Sequence, residues 1–350
     1  MRERPGRNGR DEPDWDGESA ADLVAAGWQE ERGGRLEVAA TLFEAARSTA
    51  HRDNDLGLES EAIRGLAVAT FHRGFPRRAE ELAQRSLTLA RAAGSPTREA
   101  EAGNTLGCLR LERGELDEAR RWFDRVRVIG GLPSELTARL DQNLGIVANI
   151  QGFWELARTH YHRALAAFEQ AGDVRGRAQV HHNLAMIATD HGRTAEALDH
   201  FGKGLDLAES AGAARLAGLC RLNRAEVLLT VGDRDQARDE AIAAYATFTR
   251  VGSIVDLADC CRVLGKVDWA LGRVDSAEGF LRAAVDLAVR GSTPLTEGSA
   301  RSDLGDLLAT QDRLVEARSL YEAAGGLFAG LGAEPEVARI GERLAVLGPP

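Results

Sequence analysis

The sequence predicts an all-α solenoid built from stacked pairs of antiparallel helices. One spacing recurs through the chain: a turn residue is followed five positions later by alanine, and six of the seven intervals between copies are 40 residues. Self-similarity at this period indicates a repeat architecture rather than several globular domains. Eight copies are present, namely Gly34/Ala39, Gly74/Ala79, Gly114/Ala119, Gly152/Ala157, Gly192/Ala197, Gly232/Ala237, Gly272/Ala277 and Asp312/Ala317.

Each repeat contains two helices. Apolar residues recur at three- and four-residue steps on both sides of Gly192, which is the period of an amphipathic helix. The turn residue ends the first helix, and a second set of residues ends the other, because glycine and asparagine tolerate the left-handed conformation that terminates helices. This second set is Asn54, Gly94, Gly172, Gly212, Gly252, Gly291 and Gly332. In the one interval of 38 residues, the second helix is instead expected to end at residues 130–133.

A ladder of small residues predicts where helices pack closely. Seven positions before every turn the residue is glycine or alanine, as at Gly107, Gly145 and Ala185, and a bulky residue usually fills the matching place on the second helix. A glycine in mid-helix costs about 1 kcal/mol relative to alanine, so its repeated use needs a structural reason. We expect the large side chain to pack into the gap that the small residue leaves.

This combination of residues resembles the tetratricopeptide repeat. The resemblance rests on Leu-Gly or Leu-Ala in the first helix, the Gly-x-x-x-x-Ala turn and the aromatic residue that often follows, and it spans about residues 19–347. It implies a right-handed superhelix of about eight repeats plus a C-terminal capping helix, seventeen helices in all. The 40-residue period is closer to the long-helix repeats of kinesin light chains, quorum-peptide receptors and maltose-activator-like regulators than to the commoner 34.

The terminal residues and the composition limit which classes of protein this chain can belong to. Residues 1–17 are polar and contain prolines and glycines, which predicts a disordered tail before a solenoid at 18–347. The net charge of −10 disfavours a nucleic-acid partner, which requires a basic footprint. No apolar run is long enough to span a membrane, and the four cysteines lack metal-binding spacing, so we expect reduced thiols in a cytoplasmic protein.

No motif points to an enzyme, a metal site or a cofactor. Signatures of phosphate-binding loops, serine hydrolases and zinc proteases are absent. Six of the eight histidines fall between His160 and His200, but sequence neighbours such as His181 and His182 point to different faces of a helix. We expect these histidines to be solvated or hydrogen-bonded, with His160 and His200 on the outer surface.

The remaining candidate is a peptide-binding groove, because in the proteins that this chain resembles the first helices line a concave face. Counted back from each turn, four positions share one helical stripe, on which the middle repeats place apolar residues beside polar ones. A row of asparagines joins this stripe, and carboxamides both donate and accept, which suits pairing with a peptide backbone. The candidate peptide-binding residues are Gln142, Asn143, His182, Asn183, Met186, Asn223, Arg262 and Lys266.

Two alternatives stay open for these residues. The asparagines could instead hydrogen-bond to the neighbouring helix and set the superhelix. Asn183, Asn223, Arg262 and Lys266 also partly match the carboxylate clamp with which some members of the family hold a peptide C-terminus. The lysine expected on the earliest helix is absent, and Glu226 offsets the positive charge.

The leading functional hypothesis is therefore a non-enzymatic scaffold that binds a protein or peptide segment in its groove. The alternative is the sensor module of a bacterial signalling or transcription-regulatory system, which binds a ligand or a signalling peptide. A recognisable effector domain would separate the two, and the sequence shows none.

Overall fold

The computed structural model describes residues 18–347, which form helices joined by short turns. The predicted tail at 1–17 and the last three residues lie outside the described residues. Within the described range the helices are α1 Ala20–Arg32, α2 Leu36–Arg52, α3 Leu56–His72, α4 Pro76–Ala92, α5 Pro96–Glu112, α6 Leu116–Arg127, α7 Ser134–Ile150, α8 Trp154–Ala171, α9 Val174–Asp190, α10 Thr194–Ser210, α11 Ala214–Val231, α12 Arg234–Val251, α13 Ile254–Ala270, α14 Val274–Arg290, α15 Pro294–Thr310, α16 Leu314–Gly330 and α17 Glu334–Val346.

The predicted all-α architecture is confirmed: residues 18–347 contain seventeen helices and no strand, and consecutive helices pack in pairs. Odd-numbered helices are the first helices of their repeats and even-numbered helices the second. A typical helix, such as α3 with 17 residues, is about 25 Å long at 1.5 Å per residue. None of the described helices is both long enough and apolar enough to cross a membrane.

The chain divides into two compact units, and the division falls within α8. The first unit ends at Ala167 and the second begins at Phe168. Each unit has an apolar core between its own helices. Phe43 and Phe123 are fully buried in the first unit, and Phe201 and Phe248 are fully buried in the second.

The predicted packing of large residues against small ones is present in both units. A Cβ atom at Gly145 would lie 2.6 Å from Cε1 of Tyr161, and one at Gly305 would lie 2.6 Å from Cε1 of Tyr321. Both rings are almost fully buried. Because close-packed interiors leave no slack for an extra atom at such distances, the ring occupies the volume that a side chain on the first helix would need.

A second set of close contacts was not predicted. Gly218 and Gly298 lie near the beginnings of α11 and α15, and a Cβ atom there would meet the ring of Phe248 at 2.6 Å and of Phe328 at 2.8 Å. Each phenylalanine lies near the end of the second helix of the same repeat. The α15/α16 repeat is therefore packed closely at both ends, because Gly305 meets Tyr321 at the other.

The second set of turn residues is confirmed except at one position. Positive φ angles occur at Asn54, Gly94, Gly172, Gly212, Gly252 and Gly332. The prediction of Gly291 is wrong, because its φ is −80° and the next residue, Ser292, has the positive value of 52°. Ser292 lies 40 residues after Gly252. The repeat period, rather than the nearest glycine, marks the left-handed position.

Candidate peptide-binding face

All eight predicted peptide-binding residues lie on first helices. Gln142 and Asn143 are on α7 in the first unit, and the other six are on α9, α11 and α13 in the second. Gln142 is buried and the other seven residues are half-buried. The predicted residues thus form one group in each unit.

In the first unit, Asn143 links α7 to α5. Its Nδ2 donates to Oδ1 of Asn104 at 3.0 Å and to Sγ of Cys108 at 3.4 Å. Both acceptors lie on the first helix of the preceding repeat. The amide therefore joins consecutive first helices, as the structural alternative predicted.

In the second unit, Asn223 makes the equivalent link from α11 to α9. Its Nδ2 lies 2.9 Å from Nε2 of His182 and donates to Sδ of Met186 at 3.4 Å. A thioether sulfur can only accept, so this contact fixes the nitrogen, and not the oxygen, toward α9. Three of the predicted residues are thereby brought into one cluster.

Asn183 differs from the other two asparagines. Its Nδ2 is buried and has no hydrogen-bond partner among the described residues. A buried donor without an acceptor costs about 1–3 kcal/mol. The donor group of Asn183 is therefore left unsatisfied by the described residues.

The side-chain oxygens of Asn143 and Asn223 accept no hydrogen bond from residues 18–347, and neither oxygen is sealed in the interior. Each carboxamide has both a donor group and an acceptor oxygen with two lone pairs. In both residues the donor ties two helices together and the acceptor is unused. The two interpretations of the asparagine row are therefore compatible within one side chain.

Arg262 is surrounded by carboxylates from three first helices. Its guanidinium lies 2.9 Å from Glu226 on α11, 3.2 Å from Asp259 on α13 and 3.4 Å from Asp303 on α15. Burial alone would lower the pKa of Arg262, but these three carboxylates outweigh burial and raise it. The three carboxylates neutralise the positive charge of Arg262, so this charge is not available to bind the carboxylate of a peptide C-terminus.

Lys266 lies one turn further along α13, half-buried. Burial raises the pKa of Asp303, while Arg262 and Lys266 act against that increase. Acidic and basic side chains thus alternate across α11, α13 and α15, and they largely neutralise one another.

An ionic cluster on the first helices of the first unit was not singled out from the sequence. Glu61 accepts from Nε1 of Trp28 at 2.9 Å and from the Arg64 guanidinium at 2.6 Å, and that guanidinium stacks 4.6 Å from the Trp28 ring. Burial would raise the pKa of Glu61, but Arg64 and Trp28 lower it to about 2. Burial raises the pKa of the neighbouring Glu101. Glu61 and Arg64 lie three positions apart on the predicted stripe, so their opposite charges at this spacing could have indicated the cluster from the sequence.

Two of the histidines, His160 and His181, pair with a side chain on the other helix of their own repeat. Nδ1 of His160 lies 2.8 Å from Asp141, and Nδ1 of His181 lies 2.9 Å from Nδ1 of His200. The predicted outer position of His160 is wrong, because the residue is only 6% exposed and packs against α7. Burial and the neighbouring His200 lower the pKa of His181 to about 4. Among the described residues, no group of three or more His, Cys, Asp and Glu side chains is arranged to hold a metal ion.

Two family models for the tetratricopeptide repeat match the sequence, one at residues 136–210 and the other at 105–125, 218–241 and 298–323. The chain carries tetratricopeptide repeats. The longest match begins in α7 and ends in α10, so it includes the tetratricopeptide repeats of Asn143 and Asn183. A comparison with curated proteins finds no match.

Several solved structures share the tetratricopeptide-repeat fold. A signal transduction ATPase with a tetratricopeptide repeat sensor from Pyrococcus horikoshii has a TM-score of 0.69 at 13% identity, covering 94% of this chain and 50% of that one. A Rap protein complexed with Competence and Sporulation Factor gives 0.61 at 14%, covering 94% and 97%. The apo quorum sensor NprR from B. thuringiensis gives 0.59 at 13%, covering 93% and 98%. Identities this low establish the shared fold alone.

Proposed function

We propose that this chain is a non-enzymatic scaffold that binds an extended segment of a protein or peptide on its first-helix face. The observation that carries the proposal is the half-used carboxamide of Asn223 in the second unit, and Asn143 shows the same arrangement in the first. A backbone N–H of a bound segment is the donor that each unused oxygen lacks. The similar fold of a Rap protein that is complexed with Competence and Sporulation Factor supports a binding role.

The chemistry of the face favours an internal segment over a free C-terminus. A terminal carboxylate needs an uncompensated cation, and Arg262 is already paired with three carboxylates. Asn223, His182 and Met186 instead offer hydrogen-bonding groups beside an apolar thioether. Met186 supplies a flexible apolar contact of the kind found on adaptable binding surfaces.

The same reasoning favours protein over nucleic acid as the partner class. A chain with a net charge of −10 is repelled by phosphate backbones. A cytoplasmic location is part of the proposal, and it is supported by Cys108, Cys220, Cys260 and Cys261, all free thiols.

A second candidate is the sensor module of a bacterial signalling or transcription-regulatory system. It is favoured by the similarity to the quorum sensor NprR and to the repeat sensor of the signal transduction ATPase. Both candidates use the same face and differ in what binding does afterwards.

The first test is selection from a random peptide library displayed on phage, with the full chain immobilised. A parallel selection uses the triple variant Asn143→Ala, Asn183→Ala and Asn223→Ala, and Gln84→Ala on an exposed part of α4 is the control. We expect related peptides to be enriched on the wild type and on the control, and the triple variant to bind them roughly tenfold to a thousandfold more weakly, since each hydrogen bond contributes about 0.5–1.5 kcal/mol. If the triple variant melts at a lower temperature but binds the peptides as tightly as the wild type, the asparagines only connect neighbouring helices and the proposal is wrong.

A further inference from the structure

A basic recess lies between α6, α7 and α8 of the first unit, away from the face described above. Its volume is about 200 Å³, enough for one or two side chains. The walls come from the two second helices α6 and α8, and α7 forms the floor between them. No residue of the predicted peptide-binding face lines this recess.

The lining of the recess has an excess of positive charge. Arg120 and Arg127 project from α6 and Arg163 from α8, whereas Asp124 is the one carboxylate that lines the recess. Asp124 lies 2.9 Å from Arg127 and 3.9 Å from Arg120, so it compensates one of the two. Arg163 is exposed and forms no ion pair with any residue in 18–347. On a chain of net charge −10, this local excess needs an explanation.

The floor of the recess suits the stem of an acidic side chain. Leu144 and Val147 form an apolar base, against which methylene groups can pack. Gln151 lines the same recess, donates through Nε2 to Asp117 at 3.2 Å, and has a buried Oε1 without a partner among the described residues.

We propose that this recess is a second docking site, which binds an acidic segment of a protein partner. A glutamate or aspartate side chain enters between Arg127 and Arg163, and its methylene groups pack on Leu144 and Val147. Asp124 competes with the incoming carboxylate for Arg120 and Arg127, so it sets the affinity of the site. The proposal does not depend on the first-helix face, which binds a backbone rather than a charge.

The test uses a fluorescein-labelled peptide, Gly-Glu-Leu-Glu-Leu-Glu-Gly, and its counterpart with glutamine in place of glutamate. Fluorescence anisotropy measures the affinity of the full chain for each peptide, at low and at high salt. The variants are Asp124→Asn and the double change Arg127→Gln with Arg163→Gln. Arg125→Gln is the matched control, because Arg125 stacks on Trp122 of the same helix and does not line the recess.

We expect the wild type to bind the glutamate peptide more tightly than the glutamine peptide, with an affinity that falls as salt screens the charges. Asp124→Asn should bind it about two- to fivefold more tightly, and the double arginine variant roughly tenfold more weakly, as typical of exposed ion pairs. The triple asparagine variant should bind it unchanged, which separates this site from the first-helix face.

Three results would each overturn the proposal. The first is equal affinity for the two peptides. The second is a double arginine variant that binds like Arg125→Gln while both retain wild-type helicity. The third is displacement of the glutamate peptide by an oligo-dT 20-mer at the same concentration, which would assign the recess to nucleic acid.

Discussion

At the scale of single residues, the absence of a side chain in mid-helix determines how closely two helices pack. Gly145 faces the ring of Tyr161, and a Cβ atom there would lie 2.6 Å from that ring. We predict that Gly145→Leu destabilises the protein by roughly 1–3 kcal/mol, the usual cost of overpacking a filled core. Thermal and urea melts measure the loss.

Gly202→Leu is the matched control for this prediction. Gly202 also lies within a helix, α10, but a Cβ atom there would meet nothing within 4 Å. The same substitution should therefore be neutral or stabilising by about 0.5–1 kcal/mol, because leucine has the higher helix propensity. If both variants melted alike, the close packing at Gly145 would not be the cause.

The histidine pair gives the fold a dependence on pH. His181 faces His200 at 2.9 Å, with Arg177, Asp199 and Lys203 nearby, and its pKa is lowered to about 4 from a usual 6.5. Since the unfolded chain binds the proton more readily, stability is lost as the pH falls from 6.5 toward 4. We predict a loss of about 2 kcal/mol between pH 7 and pH 4.5 from this residue.

Urea unfolding of the wild type and of His181→Asn at both pH values measures this contribution. Asparagine keeps a hydrogen-bonding group opposite His200 but does not titrate. The difference in unfolding free energy between the two proteins should shrink, or change sign in favour of the variant, at pH 4.5. A difference that is the same at both pH values would rule out titration of His181.

At the scale of the elements, the connection between α14 and α15 carries backbone strain. Ser292 has a φ of 52°, a conformation in which residues with a Cβ atom lose roughly 1–2 kcal/mol relative to glycine. We predict that Ser292→Gly stabilises the protein by about 0.5–1 kcal/mol, because part of the relieved strain is offset by the flexibility of glycine in the unfolded chain. The melting temperature reports the gain.

Gly252→Ser provides the reverse comparison. Gly252 occupies the equivalent position one repeat earlier, with a φ of 77° and open space where a side chain would go. Introducing serine there should destabilise by a similar amount. A neutral result for both changes would mean that the left-handed turn costs serine nothing in this fold.

The sequence predicted elements better than it predicted contacts. The existence and order of the helices follow from the turn period and from amphipathic spacing, and both are local properties. The 40-residue period alone predicts the left-handed turn at Ser292. The prediction failed because it followed the residue type, glycine at 291, instead of the period. The pairing of Asn143 with Asn104, by contrast, depends on the rotation of two helices about their axes, which no local pattern encodes.

The candidate site shows the same limit. The stripe put Arg262 on a first helix, as observed, but it did not predict that Asp303, 41 residues later, would share its charge. Likewise, equivalent spacing predicted a common environment for His160 and His200 but placed it on the outside, whereas both face the first helix of their own repeat. Positions on one helix and the large-on-small packing within a repeat could be predicted, but the polar and ionic partners across helices could not.

At the scale of the whole molecule, the last described helix covers an apolar surface of the repeat before it. α17 covers the apolar side of α16: Ile340 is buried against it, and Val337 and Leu344 pack on the same cluster. Arg343 adds a bidentate ion pair to Asp306 on α15, at 2.6 and 2.8 Å. Terminal repeats of solenoids need such a covering helix for solubility.

We predict that deletion of residues 333–350 causes aggregation or dimerisation. The deletion uncovers Tyr321 and Phe328, which are only 3% exposed each. Size-exclusion chromatography with light scattering measures the change, and deletion of 348–350 alone is the control. A chain lacking 333–350 that stayed monomeric and kept the helicity of the remaining helices would show that α17 is not a cap.

The central claim is that Asn223 uses its nitrogen to hold α9 and its oxygen to hold a partner's backbone. The most direct measurement is a double-mutant cycle between Asn223→Ala and a series of peptides in which each backbone N–H of a selected peptide is N-methylated in turn, with affinities from calorimetry. We predict one position at which N-methylation weakens binding to the wild type by about 0.5–1.5 kcal/mol but does not weaken binding to Asn223→Ala further. Equal losses for both proteins at every position would contradict the account.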